Sequence, residues 1–111
     1  MSERARRVGE NEALFRGINE RLEEVSDAFE WMTGSLQIVC ECGDRSCIER
    51  LELDPGEYES VRADPTHFAV LRGHDDPSVE EIVGDRGSWV VVRKYEGVPA
   101  EIAERTSLRQ P

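Results

Sequence analysis

Three cysteines lie close together in the chain, and this cluster constrains the fold more than any other feature. Residues 40–47 read CECGDRSC, which is the pattern C-x-C-x4-C. A small turn of the backbone can aim three thiols at this spacing at one point. An odd number of thiols in so short a segment favours metal ligation over a disulfide framework, and three unrelated buried thiols explain it poorly. We interpret the cluster as three ligands of one metal ion.

Zinc suits these ligands, because Zn2+ prefers thiolate and imidazole in a tetrahedron and needs no redox chemistry. A closed structural site needs a fourth ligand, and the chain contains two histidines. We predict His74, because it follows a glycine in a predicted loop where the backbone can turn its imidazole towards Cys40, Cys42 and Cys47. The alternatives are His67, which lies in a predicted strand, an oxygen ligand from Asp44 or Asp75, and water.

Three other chemistries are alternatives for the same cysteines. An iron–sulfur cluster is possible, although the spacing matches none of the common ferredoxin patterns. A water in the fourth position, with Glu41 or Glu49 as general base, would make a small zinc enzyme. The signatures of nucleobase deaminases, zinc proteases and P-loop proteins are absent, so we predict no catalytic residue. A thiol/zinc redox sensor, in which oxidation expels the metal, is the main alternative function.

The N-terminal half is dominated by a predicted amphipathic helix that runs from Asn11 towards a stop at Gly34. Apolar residues recur there at spacings of three and four, which indicates one face of a helix. These residues are Phe15, Ile18, Leu22, Val25, Phe29 and Met32. We expect this stripe to pack on the domain's own sheet. Pairing with another helix in a dimer, with Trp31 at the rim, is the alternative.

The opposite face of the predicted helix carries most of the negative charge of this half of the chain. Its residues are Glu10, Glu12, Glu20, Glu23, Asp27 and Glu30. Charged residues on one side of an amphipathic helix usually face solvent. We therefore interpret this face as solvated surface.

The rest of the sequence predicts short strands and two short helices. A β-hairpin formed by 36–41 and 48–53 holds the cysteines in its turn, and an N-capped helix follows from Asp54 and Pro55 to about Ala63. A strand at His67–Leu71 precedes a second hairpin formed by 79–83 and 89–95, although 79–83 could instead be helical. A final helix is predicted at Pro99–Thr106.

Together these elements predict an α+β domain with an N-terminal amphipathic helix, a zinc-holding β-hairpin, a short capped helix and a small antiparallel sheet. At 111 residues the chain matches one domain. We place it at 11–106, between a disordered arm at 1–10 and a flexible tail at 107–111.

Composition limits the partners of such a domain. The net charge of −10 repels phosphate backbones and anionic lipids, so we expect neither nucleic acid nor membrane as a partner. The sequence shows no apolar run of about 20 residues and no signal-peptide region after Met1, so we expect a cytoplasmic protein. All but one of its 14 basic residues are arginine, a bias that fits a bacterial gene rich in G and C.

The sequence also resembles a group of small uncharacterised proteins of actinobacterial type, for which no activity is established. The resemblance covers about Asn11 to Ala103 and rests on residues 39–44, Cys47, 57–59, 61–62, Gly73-His74 and 90–92. It implies that the cysteines and His74 belong to one unit.

We expect the protein to act as a protein-interaction or regulatory module. In that interpretation, a structural zinc ion fixes a surface and the acidic helix binds a basic protein partner or a second copy of the chain.

Overall fold

The computed structural model describes residues 9–22, 34–44 and 46–107. Its elements, in chain order, are α1 (9–22), β1 (Leu36–Val39), β2 (Arg50–Leu53), α2 (Pro55–Arg62), β3 (His67–Leu71), β4 (Glu80–Asp85), β5 (Trp89–Lys94) and α3 (Val98–Arg105). Helices and two small antiparallel sheets place the domain in the α+β class, as the sequence predicts.

The first hairpin forms where the sequence predicts it. β1 and β2 are antiparallel, with Leu36 opposite Leu53 and Ile38 opposite Leu51. All four leucine and isoleucine side chains are buried, while the residues between them are exposed, because successive side chains of a strand point to opposite faces. Beyond the strands, the Cys40 amide donates to the Glu49 carbonyl at 2.9 Å, which continues the hairpin into the cysteine segment.

The second sheet has the strand order β3-β5-β4, and all of its pairs are antiparallel. Trp89, Val90, Val91 and Val92 are all buried, because both faces of the central strand are covered. Trp89 and Val91 join the core against the first hairpin and α2, whereas Val90 and Val92 join the core that contains Cys40, Cys42 and α3. The alternative of a helix at 79–83 is wrong, since residues 80–85 form β4.

The short helices form where the sequence predicts them, although α3 begins and ends one residue earlier than predicted. In α2, Asp54 caps the Glu57 amide while the Glu57 side chain accepts from the Asp54 amide, which is a complete capping box. In α3, Gly97 precedes the first turn with a φ of 100°, a conformation that glycine adopts without a Cβ clash.

The buried face of α1 differs from the predicted one. Phe15 is buried, but Ile18 is 40% exposed and Leu14 is 48% exposed. The sheet and hairpin instead cover a polar face made of Glu12, Arg16, Asn19 and Glu20. The interpretation of Glu12 and Glu20 as solvated surface is therefore wrong. The physical reason is that α1 lies against charged and polar groups that pair with this face.

Some predictions for the N-terminal half lie outside the described residues. These concern Val25, Phe29, Met32, Trp31 and the acidic residues at 23, 27 and 30. Of the predicted arm, residues 9 and 10 already belong to α1 and 1–8 are not described; of the tail, only Ser107 is. In the described part of the chain, no helix is both long and apolar enough to cross a membrane.

Candidate metal centre

Two structural units bring the four predicted ligands together. Cys40 follows β1 directly, and Cys42 and Cys47 lie in the connection to β2. His74 comes from the turn after β3. The amide of Glu41 donates to the Ala69 carbonyl at 2.9 Å, so the cysteine segment is joined to the strand that leads to His74. The candidate centre therefore links the first hairpin with the second sheet.

The ligand atoms form one compact group. One atom from each of Cys40, Cys42, Cys47 and His74 lies within 4.8 Å of every other. His74 Nδ1 is 3.7 Å from Cys40 Sγ and 3.6 Å from Cys47 Sγ. Tetrahedral angles with Zn–S near 2.3 Å and Zn–N near 2.0 Å require an S···N separation of about 3.5 Å, close to both distances. These four residues can hold a metal ion.

The turn between Cys42 and Cys47 is closed by local hydrogen bonds. Asp44 Oδ1 accepts from the Ser46 amide at 2.9 Å and from Ser46 Oγ at 2.6 Å. The Cys47 amide donates to the Asp44 carbonyl at 3.0 Å. Asp44 is thus used to shape the turn, and its carboxylate is not in the ligand group.

The turn that carries His74 is also set by its backbone. Gly73 has a φ of 91°, and the His74 amide donates to the Leu71 carbonyl at 2.9 Å. The Leu71 amide donates to Cys40 Sγ at 3.2 Å. An N–H that points at a sulfur stabilises the thiolate form that a metal ligand needs. One turn therefore supplies one candidate ligand, His74, and supports another, Cys40.

The thiols influence each other's protonation. A hydrogen bond with Cys40 lowers the pKa of Cys42 to about 5, whereas the same hydrogen bond and burial raise the pKa of Cys40. Burial raises the pKa of Cys47 as well. The hydrogen bond therefore favours the thiolate form of Cys42 over that of Cys40. Metal binding requires deprotonated thiols, so it would release the protons that the cysteines carry.

The centre is buried on one side and open on the other. Cys40 and Cys42 are buried, Cys47 is partly exposed and His74 is exposed. A cleft of about 690 Å³ borders the open side, lined by Cys42, Gly43, Asp44, Gly73, His74, Asp75, Asp76 and Pro77. Small molecules in solution can therefore reach the edge of the centre.

The alternative residues lie elsewhere or have other partners. His67 is outside the ligand group, with its Nε2 3.4 Å from Asp64 Oδ2. The Glu41 carboxylate is fully buried and accepts hydrogen bonds from Asn19, Arg62 and the Ala69 amide. Glu49 is exposed.

Sequence reasoning missed the buried polar groups beneath α1. Lys94 is 3% exposed and lies between Glu12 and Glu80, both of which are buried. The sequence does contain one indication for Lys94. It lies two residues after Val92 in the strand, so its side chain points to the same buried face as those of Val90 and Val92. No comparable pattern marks Asn19 or Arg62.

Comparisons with protein-family models, with curated proteins and with solved structures find no match for this chain.

Proposed function

We propose that the protein binds one structural Zn2+ through Cys40, Cys42, Cys47 and His74. The convergence of three sulfurs and one imidazole nitrogen within 4.8 Å carries this proposal. Soft thiolates and an imidazole favour zinc over magnesium or calcium, which prefer oxygen ligands. With four protein ligands, no coordination position remains for a substrate, so the ion stabilises the fold and does not catalyse a reaction.

The module then acts, in our proposal, in protein interaction or regulation in the cytoplasm. The exposed side of α1 supports this role, because Glu10, Leu14, Ile18 and Arg21 lie along one exposed ridge. Leu14 and Ile18 are 48% and 40% exposed, although they are large and apolar. We call these four residues the α1 ridge.

A second copy of the chain is the partner that this ridge fits. The α1 ridge has an acidic residue at one end, a basic residue at the other and two apolar residues between. When two such helices pair antiparallel about a twofold axis, Glu10 of each lies near Arg21 of the other, and the apolar residues meet at the centre. Opposite charges in these places favour the antiparallel pairing over the parallel one.

Native mass spectrometry tests both parts of the proposal in one spectrum. We expect one zinc per chain and a dimer at micromolar protein concentration. Ile18→Glu should give a monomer that keeps its zinc, because it places a charge at the centre of the α1 ridge. Ile82→Glu is the matched control, since Ile82 is 48% exposed on β4, and that variant should stay dimeric.

Each part can fail by itself. A folded chain without zinc contradicts the metal proposal. A zinc-loaded wild-type monomer contradicts self-association and leaves a basic protein as the partner that the net charge favours. Binding to such a partner should weaken as salt is raised, because exposed charge pairs are screened.

A thiol/zinc redox sensor is the second candidate, and the open side of the centre favours it. Cys42 borders the cleft, and Cys47 is partly exposed. Hydrogen peroxide could oxidise two of the thiolates to a disulfide; their two electrons reduce the peroxide, which takes up two protons to give two molecules of water, and zinc is released. We expect peroxide to release zinc and a thiol reductant to restore binding. If zinc stays bound and folding is unchanged, this candidate is wrong.

A further inference from the structure

The docking of α1 depends directly on the segment that carries the candidate ligands. Asn19, which is fully buried, donates from Nδ2 to the Val39 carbonyl at 2.8 Å and accepts at Oδ1 from the Val39 amide at 2.8 Å. Its Nδ2 also donates to Glu41 Oε2 at 2.8 Å. About two turns towards the N-terminus of α1, Asn11 Nδ2 donates to the Gly43 carbonyl at 3.0 Å. These contacts hold α1 on residues 39–43.

Glu41 is the residue that connects α1 with the metal centre. It lies between Cys40 and Cys42 in the chain, and its side chain is fully buried. Its Oε1 accepts from Arg62 at 2.8 Å and from the Ala69 amide at 2.9 Å, while Oε2 faces Asn19. A buried carboxylate that loses one partner becomes costly, so its position must be kept. The Glu41 amide already donates to the Ala69 carbonyl at 2.9 Å, and ligation of Cys40 and Cys42 would hold the residue from both sides.

Apart from the hydrogen bonds to residues 39–43, the α1 interface contains little apolar contact that could hold the helix in place. Phe15 is the one large apolar side chain of α1 that is buried in the described part of the chain. Arg16 donates to the Pro65 and Ala103 carbonyls at 2.6 and 2.9 Å, and Glu12 pairs with Lys94. Hydrogen bonds and ion pairs weaken steeply with misalignment, whereas apolar packing tolerates small shifts. The part of the docking that Asn11 and Asn19 provide is therefore sensitive to the backbone geometry of 39–43.

We propose that metal binding and the docking of α1 are coupled through Glu41 and Asn19, so that the ion regulates whether α1 and its ridge are held on the domain. This inference rests on the proposed metal centre. Coupling between two sites is reciprocal: if the metal favours the docked helix, the docked helix favours metal binding by the same factor. A change in α1 that breaks the link should therefore weaken zinc binding, although it touches no ligand.

The test is zinc affinity, measured by competition with a chromophoric chelator. Asn19→Ala removes the link to Val39 and Glu41 and should raise the zinc Kd at least about ten-fold, as is typical when a supporting residue behind a metal ligand is lost. Ile82→Ala is the control, because Ile82 lies on β4 outside the α1 ridge and the ligand group with a side chain that is 48% exposed, and its Kd should equal that of the wild type. An Asn19→Ala Kd within about two-fold of the wild type overturns the coupling. Absence of zinc binding in the wild type would instead overturn the proposed metal centre.

A second measurement uses the unaltered protein, in case Asn19→Ala fails to fold. Hydrogen exchange of the wild type is compared with zinc bound and after chelation. We expect the amides of α1 to lose protection from exchange while those of β3 and β5 keep theirs, because the second sheet has apolar cores on both faces. Unchanged protection of α1 overturns the proposal, and so does simultaneous loss in all elements, since the ion would then act on the whole fold and not selectively on α1.

Discussion

At the scale of single residues, the charged groups beneath α1 set the pH response of the domain. Lys94 Nζ is 2.8 Å from Glu80 Oε1 and also contacts the Glu12 carboxylate, and all three side chains are buried. One cation cannot neutralise two carboxylates. Burial raises the pKa of Glu12 well above its ordinary value, and the nearby Glu80 raises it further, whereas Lys94 opposes the shift. Burial beside Glu80 thus favours the protonated form of the Glu12 carboxyl more in the folded protein than in the unfolded chain, because its pKa is raised.

Replacement of Glu12 by glutamine should remove a pH dependence of stability. Because the pKa of Glu12 is raised in the folded state, the folded protein binds more protons than the unfolded chain. The stability that this proton binding adds is fully present below the ordinary pKa near 4.5, and it is lost as the pH rises through the folded pKa. The difference in free energy of unfolding between Glu12→Gln and the wild type should therefore grow in favour of the variant as the pH rises, by up to about 1.4 kcal/mol per pH unit. Denaturant unfolding of zinc-loaded protein at several pH values measures the difference. A difference independent of pH contradicts this assignment.

The two histidines should respond in opposite ways to substitution. His74→Ala removes a proposed ligand and should release zinc, as should Cys40→Ser, Cys42→Ser and Cys47→Ser, and each should lose helical signal while the second sheet stays folded. His67→Ala is the matched control; it removes only the contact with Asp64 and should keep zinc and fold. Zinc content after gel filtration, together with circular dichroism, measures both effects. Zinc loss in His67→Ala, with retention in His74→Ala, would show that the fourth ligand is wrongly assigned.

At the scale of elements, capping residues and apolar alternation predict most of the short helices and strands. They do not predict what a helix packs against. The capping residues of α2 and the apolar alternation of β1 and β2 act within a few residues, so they can be recognised in the sequence. Helical periodicity shows that Phe15 and Ile18 lie near one another, but it does not show what faces them. The prediction of which face of α1 is buried is wrong because the partners of that face, Lys94 and Glu41, are polar and distant from α1 in the sequence.

The capping box gives a quantitative prediction for α2. Asp54→Ala removes the acceptor for the Glu57 amide, whose N···Oδ1 distance is 3.0 Å, and should destabilise the domain by about 1 kcal/mol. Ser60→Ala, at an exposed position of the same helix, is the control and should have little effect. Denaturant midpoints of the zinc-loaded variants measure the difference. Equal destabilisation by the two changes would mean that capping does not determine the stability of α2.

At the scale of the whole molecule, the candidate metal centre would join the first hairpin and the second sheet at a point beyond the apolar core that they share. The hairpin core and the core around Val90 and Val92 lie on opposite faces of the second sheet. The cysteines come from the hairpin and His74 from the turn after β3, so a single ion would tie them together. The cysteine motif could be predicted from its spacing. The turn at Gly73 is also recognisable in the sequence, and it places His74 Nδ1 3.6 Å from Cys47 Sγ, whereas His67 lies outside the group.

Removal of the ion should therefore lower the stability of the domain. A ligand that binds only the folded state stabilises it by about 2.7 kcal/mol when its free concentration is 100 times Kd. We expect the thermal midpoint to fall on addition of a strong chelator and to recover when zinc is restored. Scanning calorimetry with and without chelator measures this change. An unchanged midpoint in protein shown to have lost zinc would mean that the ion is not structural.

The central claim is that three sulfurs and one imidazole nitrogen hold a single zinc ion, and X-ray absorption at the zinc edge tests it most directly. For protein with one zinc per chain, we predict three sulfur ligands near 2.3 Å and one nitrogen near 2.0 Å, with the outer-shell scattering of an imidazole ring. Loss of the imidazole signal in His74→Ala but not in His67→Ala would identify the nitrogen ligand. A first shell dominated by oxygen, or a shell without imidazole in the wild type, would contradict the proposed centre.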